Sequence, residues 1–291
     1  MFPGRFHYAS PRALDEAVEL LQKAEGEGKV LAGGQSLIPL LKLRFASPSI
    51  LVDINNLPGL DYIKVESDGA FRIGALARHG EIERSDDIAR LQPTAAAAVP
   101  VVADPIVRSR GTLVGSVCHA DPQGDWAAVM IALDGSVTAY GPEGKRSIMV
   151  KDFVTGPFQN VLSYPEIAIE ATIPAPKGDV AGGFLKLERR VGDFATAGAA
   201  IGLEFNAGRV SRAGIALTGV GGATVNAEAA AEALMNSSLG SDAVMRAADL
   251  AAEASSPKSD HRGSADYKRH IVHTFVRRIL AGIATDQERA A

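Results

Sequence analysis

Ala32-Gly33-Gly34-Gln35-Ser36 is a loop with paired glycines between a predicted strand and a predicted helix. The residues before it, 29–31, predict a short strand, and residues 37–43 after it predict a helix. Paired glycines let a backbone approach an anion closely, and amides at the start of a helix can form a cradle for phosphate. The same pattern is also typical of a plain tight connection, so this loop alone leaves both interpretations open.

A second glycine-bearing loop, Arg110-Gly111-Thr112-Leu113-Val114-Gly115-Ser116, combines hydroxyl groups with a turn. It is followed by His119, Asp121 and Asp125, and carboxylates can bind the hydroxyls of a sugar. We expect residues 104–124 to be one long loop, and long ordered loops in compact domains tend to be functional. Neither G-x-x-x-x-G-K-[ST] nor a complete G-x-G-x-x-G occurs, so neither a P-loop nor a Rossmann site is supported.

The sequence predicts three structural units. Residues 1–56 are expected to form a β-α-loop-α-β unit, whose first helix begins with Ser10 as N-cap and Pro11 in the first turn. Residues 57–178 contain a hairpin pattern, short helices and further strands. Residues 179–291 contain three strands followed by three helices. This order of elements predicts an α+β fold.

The composition argues against several classes of function. The formal net charge is −4 and no segment concentrates lysine and arginine, so nucleic-acid binding is not expected. The one cysteine, Cys118, cannot form an internal disulfide or hold an iron–sulfur cluster. No stretch approaches the ~18 apolar residues of a membrane span, and the N-terminal sequence lacks a signal-peptide pattern. We therefore expect a cytoplasmic protein.

Three residues near the second loop can each be interpreted in two ways. His119 either contacts a cofactor or bonds to nearby backbone. Cys118 beside it is either an activated thiolate or an inert thiol. Asp121 either contacts a ligand or braces its turn with Pro122.

Two further clusters also remain open. His270 and His273 have a helical spacing compatible with metal binding, but no third ligand is evident. No metal site is therefore predicted. The pair Arg189-Arg190 is either a docking patch for a partner subunit or an exposed strand end.

Taken together, the two loops resemble those of the FAD-binding medium subunits in the carbon monoxide dehydrogenase and xanthine dehydrogenase group of molybdenum hydroxylases. That family's first loop reads A-G-G-[HQ]-S, as residues 32–36 do here. Its second loop reads [TS]-[IL]-G-G-[NS] followed by A-D-P-x-x-D, similar to residues 112–116 and 120–125. The resemblance covers nearly the whole chain, because family-like stretches also occur at residues 51–55, 57–60 and 184–194.

The resemblance implies a two-subdomain FAD-binding fold of the PCMH type, followed by an α+β C-terminal domain with a three-stranded sheet and helices. FAD would lie between the first two units with its pyrophosphate held by both loops. Asp125 would accept hydrogen bonds from sugar-type hydroxyls, and Lys186 would reach the flavin ring, where a cation stabilises anionic reduced flavin. The cofactor-binding residues implied are Leu31, Ala32, Gly33, Gly34, Gln35, Ser36, Leu37, Ile38, Val102, Thr112, Gly115, Ser116, His119, Asp125, Ala168 and Lys186.

The resemblance also implies partner subunits. A large subunit would carry the molybdenum cofactor and oxidise the substrate, and a small subunit with [2Fe–2S] clusters would relay electrons to the FAD, in a dimer of heterotrimers. No residue of this chain would then act on the organic substrate. Two competing hypotheses are a self-contained flavin oxidoreductase, which would turn over a small molecule without partners, and a flavin-free scaffold, which would be colourless.

Val114 departs from the family pattern, which usually has glycine at this position. If the position requires a positive φ, valine would cost on the order of 1–2 kcal/mol. It would also narrow the space for the pyrophosphate. Either the backbone at Val114 is ordinary or FAD binding is weakened.

Overall fold

The structure is a computed structural model that describes residues 2–290, with side chains as far as residue 287. Its first unit contains β1 (His7–Ala9), α1 (Leu14–Lys23), β2 (Gly28–Leu31), α2 (Leu37–Leu43) and β3 (Ile50–Asp53), followed by a 3₁₀ helix over Ile54–Asn56. The strands form a parallel sheet in the order β1-β3-β2. Because the strands are parallel, the segments that follow β1, β2 and β3 gather at one edge of the sheet, where ligands commonly bind.

The predicted start of the first helix is wrong. α1 begins at Leu14 and has no side-chain cap. The Ser10 hydroxyl instead accepts a hydrogen bond from Asn56 Nδ2 at 2.8 Å. The Arg12 amide donates to the Glu16 carboxylate at 3.0 Å, which anchors the first turn. A distant tertiary partner has therefore displaced a cap that the local sequence favours.

The second unit contains a five-stranded antiparallel sheet and several short helices. Its elements are β4 (Ile63–Val65), β5 (Phe71–Gly74), α3 (His79–Glu83), α4 (Asp86–Leu91), α5 (Pro93–Ala98), a 3₁₀ helix (Val99–Val101), α6 (Pro105–Arg108), α7 (Leu113–His119), α8 (Asp125–Ala132), β6 (Ser136–Gly141), β7 (Gly144–Met149), α9 (Val150–Phe153), β8 (Val154–Gly156), β9 (Gln159–Asn160) and β10 (Ile167–Ile173). The sheet order within the described residues is β4-β5-β10-β6-β7, and β8 pairs separately with β9.

The expectation of one long loop over residues 104–124 is also wrong, because α6 and α7 occupy much of this stretch. Asp104 caps α6 by accepting from the Val107 amide at 2.8 Å. Thr112 caps α7 by accepting from the Gly115 amide at 3.1 Å. Asp-Pro, and threonine before an apolar run, are recognised helix-start signals. The sequence therefore contains the residues that start both helices, although its content of glycine, proline and aspartate favours a loop.

The C-terminal domain contains β11 (Asp179–Leu187), β12 (Ala197–Asn206), β13 (Arg209–Thr218), β14 (Val225–Asn226), α10 (Glu228–Glu232), α11 (Ser241–Ala254) and α12 (Ala265–Ala290). Over the described residues the strands form an antiparallel sheet in that order. The two-residue strand β14, too short to leave a sequence pattern, extends the predicted three-stranded sheet to four. α5 and α8 pack on one face of the sheet, while α10 and α12 pack on the other.

The C-terminal sheet approaches the end of α8 closely. A Cβ at Gly214 would lie 2.1 Å from the Ala132 carbonyl oxygen, and one at Gly202 would lie 2.8 Å from it. Only glycine fits at such distances. α8 packs on β12 and β13, and the side chain of Lys186, on the neighbouring strand β11, reaches Asp125 at the start of α8.

The first three sheets by size fall within residues 1–56, 57–178 and 179–291, and we keep these units as a proposed division of the chain. One apolar core joins the first two units and extends to the nearer face of the C-terminal sheet, and a second core fills the space between that sheet and its own helices. Among residues 2–290, no helix is both long and apolar enough to span a membrane.

Candidate functional site

The first loop (residues 32–36) lies directly against the second loop (residues 110–116). Gly33 is buried, and a Cβ there would lie 2.3 Å from the Arg110 carbonyl oxygen and 2.8 Å from Gly111 Cα. Gly34 has a φ of 73°, in the left-handed region that favours glycine. The glycine pair is therefore needed for two backbones to touch at this edge of the first sheet.

A hydrogen-bonded bridge also joins the two loops. Asn55 Nδ2 donates to the Ala32 carbonyl at 2.9 Å, and Arg78 Nη2 donates to Asn55 Oδ1 at 2.6 Å. Arg78 Nη1 donates to the Arg110 carbonyl at 2.7 Å. Neither bridging residue, Asn55 or Arg78, is among the predicted site residues. Asn55 lies in a family-like stretch that could have indicated it, whereas no pattern marked Arg78.

His79 supports the second loop from the protein interior. A Cβ at Gly111 would lie 2.8 Å from His79 Cδ2. Trp126 Nε1 donates to His79 Nδ1 at 3.0 Å, and the two rings are stacked. Burial, and then the charges of Arg108 and Arg78, lower the pKa of His79 to about 4. The ring is therefore neutral at pH 7 and accepts the indole hydrogen bond.

We expect a His79→Gln variant to lose part of the pH dependence of unfolding. The pKa of histidine is about 6.5 in an unfolded chain, so unfolding takes up a proton between pH 6.5 and 4. The contribution of His79 to stability is present above pH 6.5 and falls by on the order of 3 kcal/mol as the pH decreases to 4. Urea unfolding of both proteins at pH 7 and pH 4.5 measures this difference. If the difference between them were the same at both pH values, the neutral assignment would be wrong.

Three predicted residues belong to the first turns of α7. Thr112 is buried, and its hydroxyl caps the helix by accepting from the Gly115 amide. A Cβ at Gly115 would lie 2.7 Å from Thr112 Oγ1, so glycine keeps this turn open. Ser116, one residue further, is half-buried. Val114 is buried within α7 and does not have a positive φ. The backbone at this departure from the family pattern is therefore ordinary helix.

We expect Val114→Gly to destabilise the protein without tightening FAD binding. The variant would lose a buried side chain and gain backbone freedom in the unfolded state, at a cost on the order of 2 kcal/mol. Thermal unfolding should show a lower melting temperature, while FAD titration should give a dissociation constant within about twofold of wild type. A clearly tighter complex with FAD would show that Val114 obstructs the site.

His119 lies at the far end of α7, roughly 10 Å along the helix from Thr112. Its ring centroid is 5.2 Å from that of Phe158, and its Nε2 is 4.0 Å from Asp121 Oδ2. Burial lowers the pKa of His119, although Asp121 opposes the shift. Burial raises the pKa of Cys118 to about 12, which contradicts the activated thiolate.

Asp121 and His273 each have a partner within the protein. Asp121 Oδ1 accepts from the Gln123 amide at 2.9 Å, so this residue braces its own turn. His273 Nε2 lies 3.3 Å from Asp249 Oδ1. In the described part of the chain, no three His, Cys, Asp or Glu side chains are grouped so as to hold a metal ion.

Asp125 and Lys186 meet in a buried charged cluster. Lys186 Nζ lies 3.0 Å from Asp125 Oδ2 and 3.3 Å from Glu188 Oε2, and its side chain is only 2% exposed. The same ammonium donates to the carbonyls of Val101 at 2.6 Å and Asp193 at 3.3 Å. Burial raises the pKa of Asp125 to about 6, although the charge of Lys186 opposes the shift. The two residues, expected to contact a cofactor separately, are thus partners.

Asp125 also has an unused acceptor. Its Oδ1 is buried, and no donor in the part of the chain that the structure describes bonds to it. A buried carboxylate oxygen without a partner is costly, and a hydroxyl of a bound ligand would satisfy it. The observation fits the ligand role expected for Asp125 even though Lys186 occupies its other oxygen.

Most of the predicted residues fall into two groups. One group surrounds the contact between the loops, and apart from the buried Gly33 and Thr112 its members are half-buried or exposed, as on a surface that a ligand can cover: Leu31, Ala32, Gly33, Gly34, Gln35, Ser36, Leu37, Ile38, Thr112, Gly115 and Ser116. The other contains Asp125 and Lys186, with the buried Val102 next in the chain to Val101, whose carbonyl accepts from Lys186. Ala168 is buried on β10, which packs against α7, and His119 ends that helix.

Comparison with known proteins identifies the family whose members this chain resembles. Residues 4–176 match the FAD binding domain in molybdopterin dehydrogenase, and residues 183–283 match the CO dehydrogenase flavoprotein C-terminal domain. The carbon monoxide dehydrogenase medium chain of Hydrogenophaga pseudoflava is 36% identical over 96% of this chain and 97% of its own. The 6-hydroxypseudooxynicotine dehydrogenase complex subunit alpha of Paenarthrobacter nicotinovorans is 36% identical over 97% and 95%.

A solved structure agrees with the sequence matches. Carbon monoxide dehydrogenase from Hydrogenophaga pseudoflava, solved without the Mo-pyranopterin moiety of its molybdenum cofactor, has a chain that superposes with a TM-score of 0.94 at 38% identity. The match covers 99% of both chains and confirms the predicted fold class, an FAD-binding fold followed by an α+β C-terminal domain. The chain therefore belongs to the family of FAD-binding medium subunits of molybdenum hydroxylases, the oxidoreductase family that includes carbon monoxide dehydrogenase.

Proposed function

We propose that this chain holds FAD between its first two units and passes electrons from the iron–sulfur clusters of a small partner subunit to a terminal acceptor. A large partner would carry the molybdenum cofactor and oxidise the substrate, in a dimer of heterotrimers. The observation that carries the proposal is the contact between the two loops at Gly33 and Arg110, a cradle that a single Cβ would fill. Backbone that approaches so closely at a helix start suits a pyrophosphate.

The remaining site residues fit the parts of FAD. The first loop would hold the pyrophosphate from one side, and Thr112, Gly115 and Ser116 from the other. Leu31, Leu37 and Ile38 would line the flavin region, and Asp125 Oδ1 would accept from a hydroxyl of the cofactor. When bound, FAD supplies a redox centre that takes electrons singly and can release them as a pair. Lys186 would provide a positive charge beside it, with Val102, Ala168 and His119 nearby.

We assign the choice of substrate to the large partner. The two relatives named above are named for carbon monoxide and for 6-hydroxypseudooxynicotine, yet they are equally similar to this chain. The residues of this site bind and orient a cofactor, and none of them is assigned to the organic substrate. The cytoplasmic location stays a prediction from the sequence.

The test is to purify the chain alone and in its complex, and to record visible spectra before and after denaturation. We expect flavin absorbance and released FAD from the complex, and uptake of added FAD by the isolated chain. Anaerobic addition of limiting dithionite to the complex should then reduce clusters and flavin together, as followed by electron paramagnetic resonance and absorbance. Failure of saturating FAD to bind either preparation would leave the scaffold hypothesis. Turnover of a small molecule by the isolated flavin-loaded chain would favour the self-contained oxidoreductase.

A further inference from the structure

A short loop, residues 188–194, follows β11 and is held by contacts near both of its ends. Lys186 precedes this 188–194 loop on β11, and the loop returns to it because the Asp193 carbonyl accepts from Lys186 Nζ at 3.3 Å. Glu188 Oε1 accepts from the Gly192 amide at 3.3 Å. Gly192 has a φ of 84° and packs against Ala103, where a Cβ would lie 3.0 Å from the carbonyl carbon. The loop therefore encloses the ammonium and fixes its surroundings.

Arg262, in the turn before α12, holds this loop in place. Its Nη2 donates to Asp193 Oδ1 at 3.2 Å, and its Nη1 donates to Asp193 Oδ2 at 3.3 Å. Nη1 also donates to the Phe194 carbonyl at 2.8 Å. A two-pronged guanidinium–carboxylate pair fixes orientation as well as distance. Burial alone would raise the pKa of Asp193, but Arg262, the Phe194 amide and Arg189 hold it at about 2, so the carboxylate is ionised at neutral pH.

Arg262 is itself fixed in place. Its side chain is 9% exposed, and its amide donates to Asp260 Oδ1 at 2.8 Å. The other oxygen of Asp260 lies 2.7 Å from Nζ of Lys268, a buried residue of α12. A rigid turn therefore presents the guanidinium to the loop. The second cation on Asp193, Arg189, is 50% exposed and bonds through a single contact at 3.1 Å.

We propose that Arg262 is a positioning residue for the flavin site: by holding Asp193 and Phe194 it fixes the 188–194 loop and, through the Asp193 carbonyl, the ammonium of Lys186. The inference rests on the proposed function, in which Lys186 lies beside the flavin. The guanidinium of Arg262 donates to Asp193 and Phe194, both of which belong to the 188–194 loop. Its effect on the cofactor therefore travels through the loop, and a change at residue 262 should change how firmly the cation is held.

The test is a redox titration of the flavin in the full-length, FAD-loaded chain, followed by absorbance. A cation beside the ring favours anionic reduced flavin, so Lys186→Met should lower the midpoint potential. Arg262→Gln should also lower the midpoint potential. We expect the ratio of the FAD dissociation constants for the reduced and oxidised states to rise about fivefold. For a two-electron couple, fivefold corresponds to about 20 mV. Arg262→Lys, which keeps the charge but not the two-pronged geometry, should recover part of the shift.

Two comparisons separate positioning from other effects. Arg189→Gln removes a charge from the same carboxylate at a half-exposed position, and should shift the potential by less than about twofold on the same ratio. Arg262→Gln added to Lys186→Met should produce no further shift. Equal shifts from Arg262→Gln and Arg189→Gln, or an undiminished shift in the Lys186→Met background, would overturn the inference while leaving the proposed function intact. An unchanged potential in Lys186→Met would instead overturn the role of Lys186 and the inference with it. Should Arg262→Gln fail to fold, Arg262→Lys is compared with wild type in its place, and an unchanged potential there also overturns the inference.

Discussion

A Gly33→Ala variant is expected to lose most of its affinity for FAD. The added Cβ would lie 2.3 Å from the Arg110 carbonyl oxygen and 2.8 Å from Gly111 Cα, both of them backbone atoms that cannot rotate away. The two loops would have to separate, and overpacking of this kind costs about 1–3 kcal/mol. If that cost falls on the cofactor-binding conformation, the dissociation constant rises roughly 5- to 150-fold. Titration of the apoprotein with FAD, followed by flavin fluorescence, measures the change.

Gly222→Ala is the matched control, because no atom lies within 4 Å of the Cβ that it would add. Gly222 belongs to the glycine-rich stretch of residues 219–224, which resembles an incomplete G-x-G-x-x-G. Its substitution should leave FAD affinity within about twofold of wild type. Wild-type affinity in Gly33→Ala, with its fold intact by circular dichroism, would show that the contact between the loops is not the cofactor cradle.

The loops and the fold class could be predicted because their physical requirements are local. A close contact between two backbones requires glycine, and the sequence has Gly33 shortly before a predicted helix. The apolar run over residues 37–43 likewise identifies α2, whose predicted bounds agree with the structure. Boundaries failed where a polar side chain had a choice of partner. Ser10 favours a helix cap by its local sequence, but it bonds to Asn56, 46 residues away.

The bridges that hold the site together could not be predicted from the sequence. Arg78 reaches Arg110, 32 residues along the chain, and Arg262 reaches Asp193, which is 69 residues away. An arginine leaves no periodic signal for such a contact, since its partner is defined only by the tertiary fold. Asn55 lies in a family-like stretch, but its hydrogen bonds to Ala32 and Arg78 are a property of the folded chain.

Lys186 and Asp125 illustrate a different limit. The resemblance gave each residue a role toward the cofactor, but it could not show that the two side chains also bond to each other at 3.0 Å. The charge of Lys186 is shared with Asp125 and Glu188 before any ligand arrives, and Asp125 has one oxygen left for a hydroxyl. In the proposed site, the net charge that this cluster presents to the flavin would therefore depend on the protonation of Asp125.

A Lys186→Met variant is expected to show the largest loss of stability, about 3–5 kcal/mol at pH 8, because it leaves buried carboxylates without their cation. The loss should shrink as the pH falls. Asp125 has a pKa of about 6 in the fold, above its usual 3.8, so the folded state binds a proton more tightly than the unfolded chain between these values. Removing the cation raises that pKa further. The difference from wild type therefore grows as the pH rises above 6, and at pH 5 Asp125 is mostly neutral in both proteins.

Lys268→Met separates this effect from the loss of any buried lysine. Lys268 is also buried and pairs with Asp260 at 2.7 Å, but hydrogen bonding from Lys268, against the effect of burial, lowers the pKa of Asp260. Asp260 is therefore ionised throughout pH 5–8, and the stability loss in Lys268→Met should stay constant over this range. Urea unfolding at pH 5 and pH 8 tests both variants. A pH-independent loss in Lys186→Met would mean that Asp125 does not titrate there, and that the net charge of the cluster of Lys186, Asp125 and Glu188 is fixed across this range.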